Sequence, residues 1–402
     1  MKKIVFMMPF YMLPLPSTMG GGVEELMTLL IDENEKNEKT DYKFYFINKK
    51  IYGKNAKFQT ECTYKNSEVI NIKYNRFLNT IIRLLNKGLK ILKIKKRFQT
   101  VYYKKAFNLI KKINPDHIVF ERDYFADMNK YAKTFGKEKL SFHVHTQVLD
   151  KENISEKFGS IITVSKFIAD DWKDYLNGKP MNYHILPNCV NEDRFNKMLA
   201  LKERNEIRTN LGFNKNDFVV LFCGRIHKDK GIDKLIDAII PMDKNIKLLI
   251  VGSVSAADNP KSVFENMIKQ KVRENPERIK FTGYVNNSEL YKIYQSSDIQ
   301  IVPSVWEEAA GLVVIEGQHS GLPQIITQSG GMVEFANPEG TIIVEKENHL
   351  VENLTSEINK LKNDSEFRAK MSESNKKHAT KFDKASYYKN FLKIAEKITK
   401  KG

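Results

Sequence analysis

Residues 299–323 read IQIVPSVWEEAAGLVVIEGQHSGLP. Ile299–Val302 is a short apolar strand, and Pro303 ends it. Glu308 then falls on a loop at the strand's carboxyl end. Gly311 lets backbone approach a ligand closely, and a helix starts nearby. A helix start offers unpaired N–H groups and partial positive charge, which suits a pyrophosphate. Glu316 follows Glu308 by eight residues, one to two turns into that helix. Two carboxylates so placed can accept hydrogen bonds from different hydroxyls of one ligand, such as a sugar and a ribose. Bracketing a glycosidic bond, the same pair would instead suggest a glycosidase.

The strand–loop–helix pattern repeats on both sides of this stretch. Downstream of residue 196, strands are expected at Phe218–Cys223, Lys247–Val251, Ile279–Thr282, Gln324–Thr327 and Gly340–Val344. Upstream they are expected at Lys3–Met8, Lys43–Ile47, His117–Glu121, Leu140–His145 and Ser160–Val164. Helical stretches such as Val23–Asp32, Tyr102–Ile113 and Lys166–Leu176 alternate with them. Such alternation implies parallel sheets covered by helices on both faces. A chain of 402 residues, 41% hydrophobic, is too long for one average domain of about 150 residues. The expected division is 1–195, 196–380, and a final helix in 381–402 packing back towards the first domain. The charged segment after Pro187 is read as the connection between domains.

Three further segments carry chemistry. In GRIHKDKGIDKLIDAI, residues 224–239, Arg225 and Lys230 leave a strand end as cations able to neutralise a diphosphate. In STMGGGVEELMTLL, residues 17–30, glycines open onto a helix, without the spacing of a dinucleotide fingerprint or a P-loop. His143 and His145 share one face of a strand. A zinc site there would need a third ligand, and the sequence suggests none nearby. His145 is therefore read as a hydrogen-bonding group. The three cysteines have no metal-like spacing.

With these motifs in order along nearly the whole chain, the sequence resembles the family-4 glycosyltransferases. Glu308 and Glu316 match the family's E-x7-E motif, and Gly224-Arg225 with Lys230-Gly231 match its GR…KG motif. FTGYV (281–285), ELYKIYQSSDIQIVPS (289–304), TVSKFIADDW (163–172), LPNCV (186–190) and SGGMVEF (329–335) also match. EAAG at 308–311 is similar to lipopolysaccharide-core glucosyltransferases. The resemblance implies the GT-B architecture, two Rossmann-like doubly wound domains facing across a cleft. It implies that Arg225 and Lys230 hold a donor diphosphate, that Glu308 contacts the sugar and that Glu316 binds the ribose. Ala310, Gly311, Leu312 and Val313 would line the sugar and phosphate pocket, with Val285 by the base. Gly21 and Gly22 would close over the phosphate, and His145 would sit near the transferred sugar. The implied reaction is retaining and needs no metal or cofactor. Its donor is a nucleotide-sugar, UDP-linked by resemblance, and its acceptor a cell-envelope glycan or glycolipid. Two departures stand out. Cys189 replaces the usual glycine of Asn-Gly-Val, and Gly317 replaces the usual alanine after the second glutamate.

A non-catalytic partner protein, or an epimerase or phosphorylase, would be the alternatives on the same fold. The net charge is +17, of which residues 1–195 hold +12. Eleven Lys/Arg and no Asp/Glu lie between Ile81 and Lys112, among Leu84, Leu85, Leu89, Ile91, Leu92, Ile94, Phe98, Tyr102 and Tyr103. A basic amphipathic segment of this kind favours an anionic membrane surface. No nucleic-acid-binding motif accompanies the charge. The opening MKKIVFMM reads as a first buried strand rather than a signal peptide, because Pro9, Pro14 and Pro16 interrupt the apolar run. The expected location is the cytoplasm, peripheral on the inner membrane face.

Overall fold

The computed structural model describes residues 1–17, 21–59, 62, 64–92, 98, 100–121, 128–148, 154–252 and 263–400. The chain forms two compact units, Met1–Pro187 with Tyr387–Gly402, and Asn188–Ser386.

The first unit is built on seven parallel strands. They are β1 (Lys2–Met7), β2 (Tyr42–Lys49), β3 (Ser67–Ile72), β4 (His117–Glu121), β5 (Leu140–Val144), β6 (Ser160–Thr163) and β7 (Asn182–Ile185). Their order is 3-2-1-4-5-6-7. The inner strands β4, β5 and β6 are wholly buried, and their apolar residues are interspersed with the buried polar groups His117, Glu121, Ser141, His143, Ser160 and Thr163. Phe6 of β1 stacks on Phe46 of β2, and Phe391 of the last helix packs against Phe6 and Phe44. The Tyr388 hydroxyl donates to Asn34 at 2.8 Å. These contacts anchor the chain's end to the first unit.

The second unit holds six parallel strands. They are β8 (Phe218–Cys223), β9 (Ile246–Val251), β10 (Ile279–Gly283), β11 (Ile299–Val302), β12 (Gln324–Thr327) and β13 (Thr341–Val344). The order is 10-9-8-11-12-13, the doubly wound pattern. All six were expected from sequence. In the first unit, β3 and β7 were not, since both are short edge strands with half-exposed, polar faces.

The junctions differ from the expected 195 and 380; they lie at Pro187–Asn188 and Ser386–Tyr387. The cause is local bonding. The Val190 amide donates to the Phe382 carbonyl, and Lys384 pairs with Glu192 and Asp193. Residues 188–195 and 380–386 therefore hold each other within the second unit.

Candidate active site

In a doubly wound sheet, ligands bind beyond the carboxyl ends of the strands where the order reverses. In the second unit that point lies between β8 and β11. The loops leaving these strands are 224–231 and 303–311, the segments already marked by sequence.

Gly231 locks these two loops together. Its φ is +64°, and an added Cβ would lie 2.0 Å from the Pro303 carbonyl oxygen, so no other residue fits without displacing backbone. The Val305 amide donates to the Asp229 carbonyl at 2.9 Å. Lys230 is thereby carried to Glu308, and Nζ lies 2.5 Å from Oε1. The Ser304 hydroxyl donates to the same oxygen at 2.5 Å. The Glu308 amide donates to Ser329 Oγ, and its carbonyl accepts from the Gly331 amide. Both backbone and side chain of Glu308 are thus fixed. Its neighbour Glu307 pairs with Lys346 instead. Arg225 is exposed, two residues beyond β8.

Gly311 caps the helix Leu312–His319, so the Leu312 and Val313 amides lie in the first turn, where no intrahelical acceptor reaches them. Beneath the helix, Gln300 Nε2 donates to the Val313 carbonyl and Gln324 Nε2 to the Val314 carbonyl. Glu316 accepts a hydrogen bond from the Tyr294 hydroxyl at 2.7 Å. Val285, Ala310, Leu312 and Cys223 border one apolar cluster with Tyr294 and Ile315. The structure so brings together Lys230 with Glu308, and Val285, Ala310 and Leu312 at one apolar cluster.

The remaining sequence-marked residues lie in the first unit. Gly22 starts the helix Gly22–Lys36, and Gly21 precedes it with φ +107°. Residue 20, the first of the three glycines, is outside the described residues. His143 is buried on β5, and His145 follows the strand's end, partly exposed. Here the structure corrects the sequence reading, which found no third ligand-type residue near the histidines. Register places Glu121 of β4 beside His143 of β5. Its buried carboxylate meets His143 Nδ1 at 3.0 Å and His145 Nε2 at 3.2 Å. The ligand-type atoms of all three lie within 4.8 Å of one another. Burial alone would raise the Glu121 pKa, and the two imidazoles more than reverse that, bringing it down to about 2. Hydrogen bonding to the rings accounts for each of these contacts. Glu121 was seen in the sequence only as a strand end, because its partners are 22 and 24 residues away. Tyr294 was likewise unmarked as a site residue, lying within the matching stretch 289–304.

Residues 203–378 match the family described as Glycosyl transferases group 1. This segment is similar to a group 1 glycosyltransferase domain. The matched segment contains every second-unit residue named in this section. An uncharacterized glycosyltransferase of Methanocaldococcus jannaschii is 31% identical over 182 residues, 44% of this chain and 45% of that protein. The lipopolysaccharide 1,2-N-acetylglucosaminetransferase of Salmonella typhimurium is 25% identical over 201 residues, 49% of this chain and 51% of that one. The chain spans about half the length of the curated relatives it matches. The fold of the whole chain is that of Anabaena HepE solved with UDP-glucose, at a TM-score of 0.70 and 15% identity, covering 98% of this chain and 99% of that one.

Proposed function

We propose that the protein is a retaining glycosyltransferase that moves a sugar from a UDP-sugar to a cell-envelope glycan or glycolipid. The observation that carries this reading is the Lys230–Glu308 pair, set beside a helix start at the switch point of the segment similar to a group 1 domain. The donor diphosphate lies against the first-turn amides of Leu312–His319, and Lys230 and Arg225 carry its charge. Glu308 accepts hydrogen bonds from the sugar. Glu316 accepts them from the ribose. The bond from the anomeric carbon to the diphosphate breaks, and the acceptor oxygen bonds to that carbon on the same face. The acceptor's proton passes to the departing phosphate oxygen. The two cations stabilise the diphosphate as it leaves, so the route needs no divalent ion. A UDP-linked donor is supported by the UDP-glucose bound to HepE, and an envelope acceptor by the Salmonella relative's name.

The acceptor is lipid-linked in this reading, and the first unit meets an anionic membrane surface through the helix Arg76–Ile91. No described helix is long and apolar enough to cross a membrane. The working location is the inner membrane face.

Turnover of UDP-sugars with a lipid-linked acceptor is the direct test. Lys230→Ala should lower kcat by at least about tenfold, because it removes charge stabilisation needed as the diphosphate leaves. Near-normal turnover at saturating donor would refute the role. Donor incubated alone and returned as its epimer would replace the transfer reading with an epimerase.

A further inference from the structure

Behind Glu316 lie two groups that the reaction does not use, the buried Tyr294 and the half-buried Cys223. Tyr294, on the helix Leu290–Ser296, has no exposed surface. Its ring meets Phe195 edge to face at 5.6 Å, which fixes the plane of the phenol. Its hydroxyl donates to Glu316 Oε2 at 2.7 Å. The Cys223 side chain, at the end of β8, borders the same apolar cluster as the phenol. A phenol carries a single proton, and here it is given to Glu316.

We propose that Tyr294 is a positioning residue that sets Glu316 to discriminate a ribose from a deoxyribose in the nucleotide of the donor. This rests on the reading of Glu316 as the acceptor for the ribose hydroxyls. A carboxylate on a helix surface rotates about its terminal torsion. A buried, rigid donor on Oε2 stops that rotation and holds the remaining acceptor sites in one plane. Two adjacent hydroxyls can then be met at once, whereas a carboxylate left to turn meets both together only part of the time and gains less from the second. Burial pushes the phenol well above its ordinary range and the thiol up to about 12. Both therefore stay protonated, and the phenol remains a donor to Glu316 across the working pH range.

The test is calorimetric binding of UDP and of 2′-deoxy-UDP to the full chain, to Tyr294→Phe and to Cys223→Ala. Wild type should prefer UDP by about tenfold, the worth of a hydrogen bond to a charged acceptor. Y294F should bind 2′-deoxy-UDP as wild type does, with the preference for UDP reduced to within about threefold. C223A leaves the phenol's proton on Glu316 and should keep the wild-type preference. Thermal unfolding of each variant separates misfolding from the binding effect. A full preference in folded Y294F would overturn the positioning role while leaving the ribose reading intact. Equal loss in C223A and Y294F would also overturn it, showing that any change in this cluster disturbs the site. Wild type that binds both nucleotides equally would instead overturn the ribose reading itself.

Discussion

At the scale of single residues, Gly317 shows why a departure from a family pattern is not free to revert. An added Cβ would lie 1.8 Å from Gln300 Oε1 and 2.6 Å from Gln324 Nε2. Both glutamines are fully buried, and both carry the turn that holds Glu316. They also bond to each other at 2.7 Å, so neither moves alone. Gly317→Ala should therefore destabilise the chain by about 2 kcal/mol, through overpacking and the strained amides beneath it. Urea unfolding measures this. The double variant Gly317→Ala/Gln300→Ala removes the clashing side chain, and its loss should be smaller than the sum of the two single losses. Strict additivity would refute the steric account. The glycine was legible in the sequence as a departure. Its reason was not, because Gln300 and Gln324 meet it only after β11 and β12 have paired.

At the scale of elements, the basic segment 81–112 divides into two helices with opposite habits. The helix Val101–Ile113 buries Tyr102, Tyr103, Ala106, Phe107 and Ile110 in the core, so the two tyrosines are not part of a docking face. Ile94 lies outside the described residues. The helix Arg76–Ile91 instead exposes its apolar side: Phe77 is 77% exposed, Leu84 63% and Ile91 73%. Phe77, Ile81, Leu84 and Leu85 recur at helical spacing along one stripe, and no acidic residue interrupts the helix. A cationic helix with an unburied apolar stripe has its complement in an anionic lipid surface, where the stripe enters the interface and the lysines meet headgroups. The protein should therefore sediment with vesicles of phosphatidylglycerol and phosphatidylcholine far more than with phosphatidylcholine alone. Binding should weaken with added salt. Leu84→Ser/Leu85→Ser should reduce it at any salt, since it removes buried apolar area rather than charge. Equal sedimentation with both vesicle types would refute the docking face. Amphipathic spacing alone did not separate the two helices. A stripe that packs and a stripe that waits read alike until the neighbouring elements are in place. Strands obeyed the same logic. The inner strands were legible from short apolar cores such as Ile118–Phe120 and Ile161–Ile162, whereas the edge strands β3 and β7 are half-exposed and intersperse polar residues.

At the scale of the whole molecule, each unit buries a histidine in its neutral form, and this sets how the protein responds to acid. In the first unit, His117 on β4 is fully buried with Nε2 2.6 Å from Ser141 Oγ. Burial pushes its pKa down to about 3. In the second unit, burial likewise holds His319 at about 4. An unfolded histidine titrates near 6.5. Between these values the unfolded chain binds more protons than the folded one, so stability falls as pH drops below about 6.5 and goes on falling to about 3. Glu121, depressed to about 2, adds its own loss below about pH 4.5, where the unfolded carboxylate protonates first. The two losses are separable by pH, because the histidines act first. The urea midpoint should thus fall between about pH 7 and about pH 5, before any carboxylate is involved. His117→Gln cannot take up a proton and should reduce the part of that fall that belongs to the first unit, leaving the share of His184, whose pKa burial also depresses, at some cost in stability at neutral pH. A midpoint that holds steady across this range in the wild type would show that the buried imidazoles are already charged in the folded state.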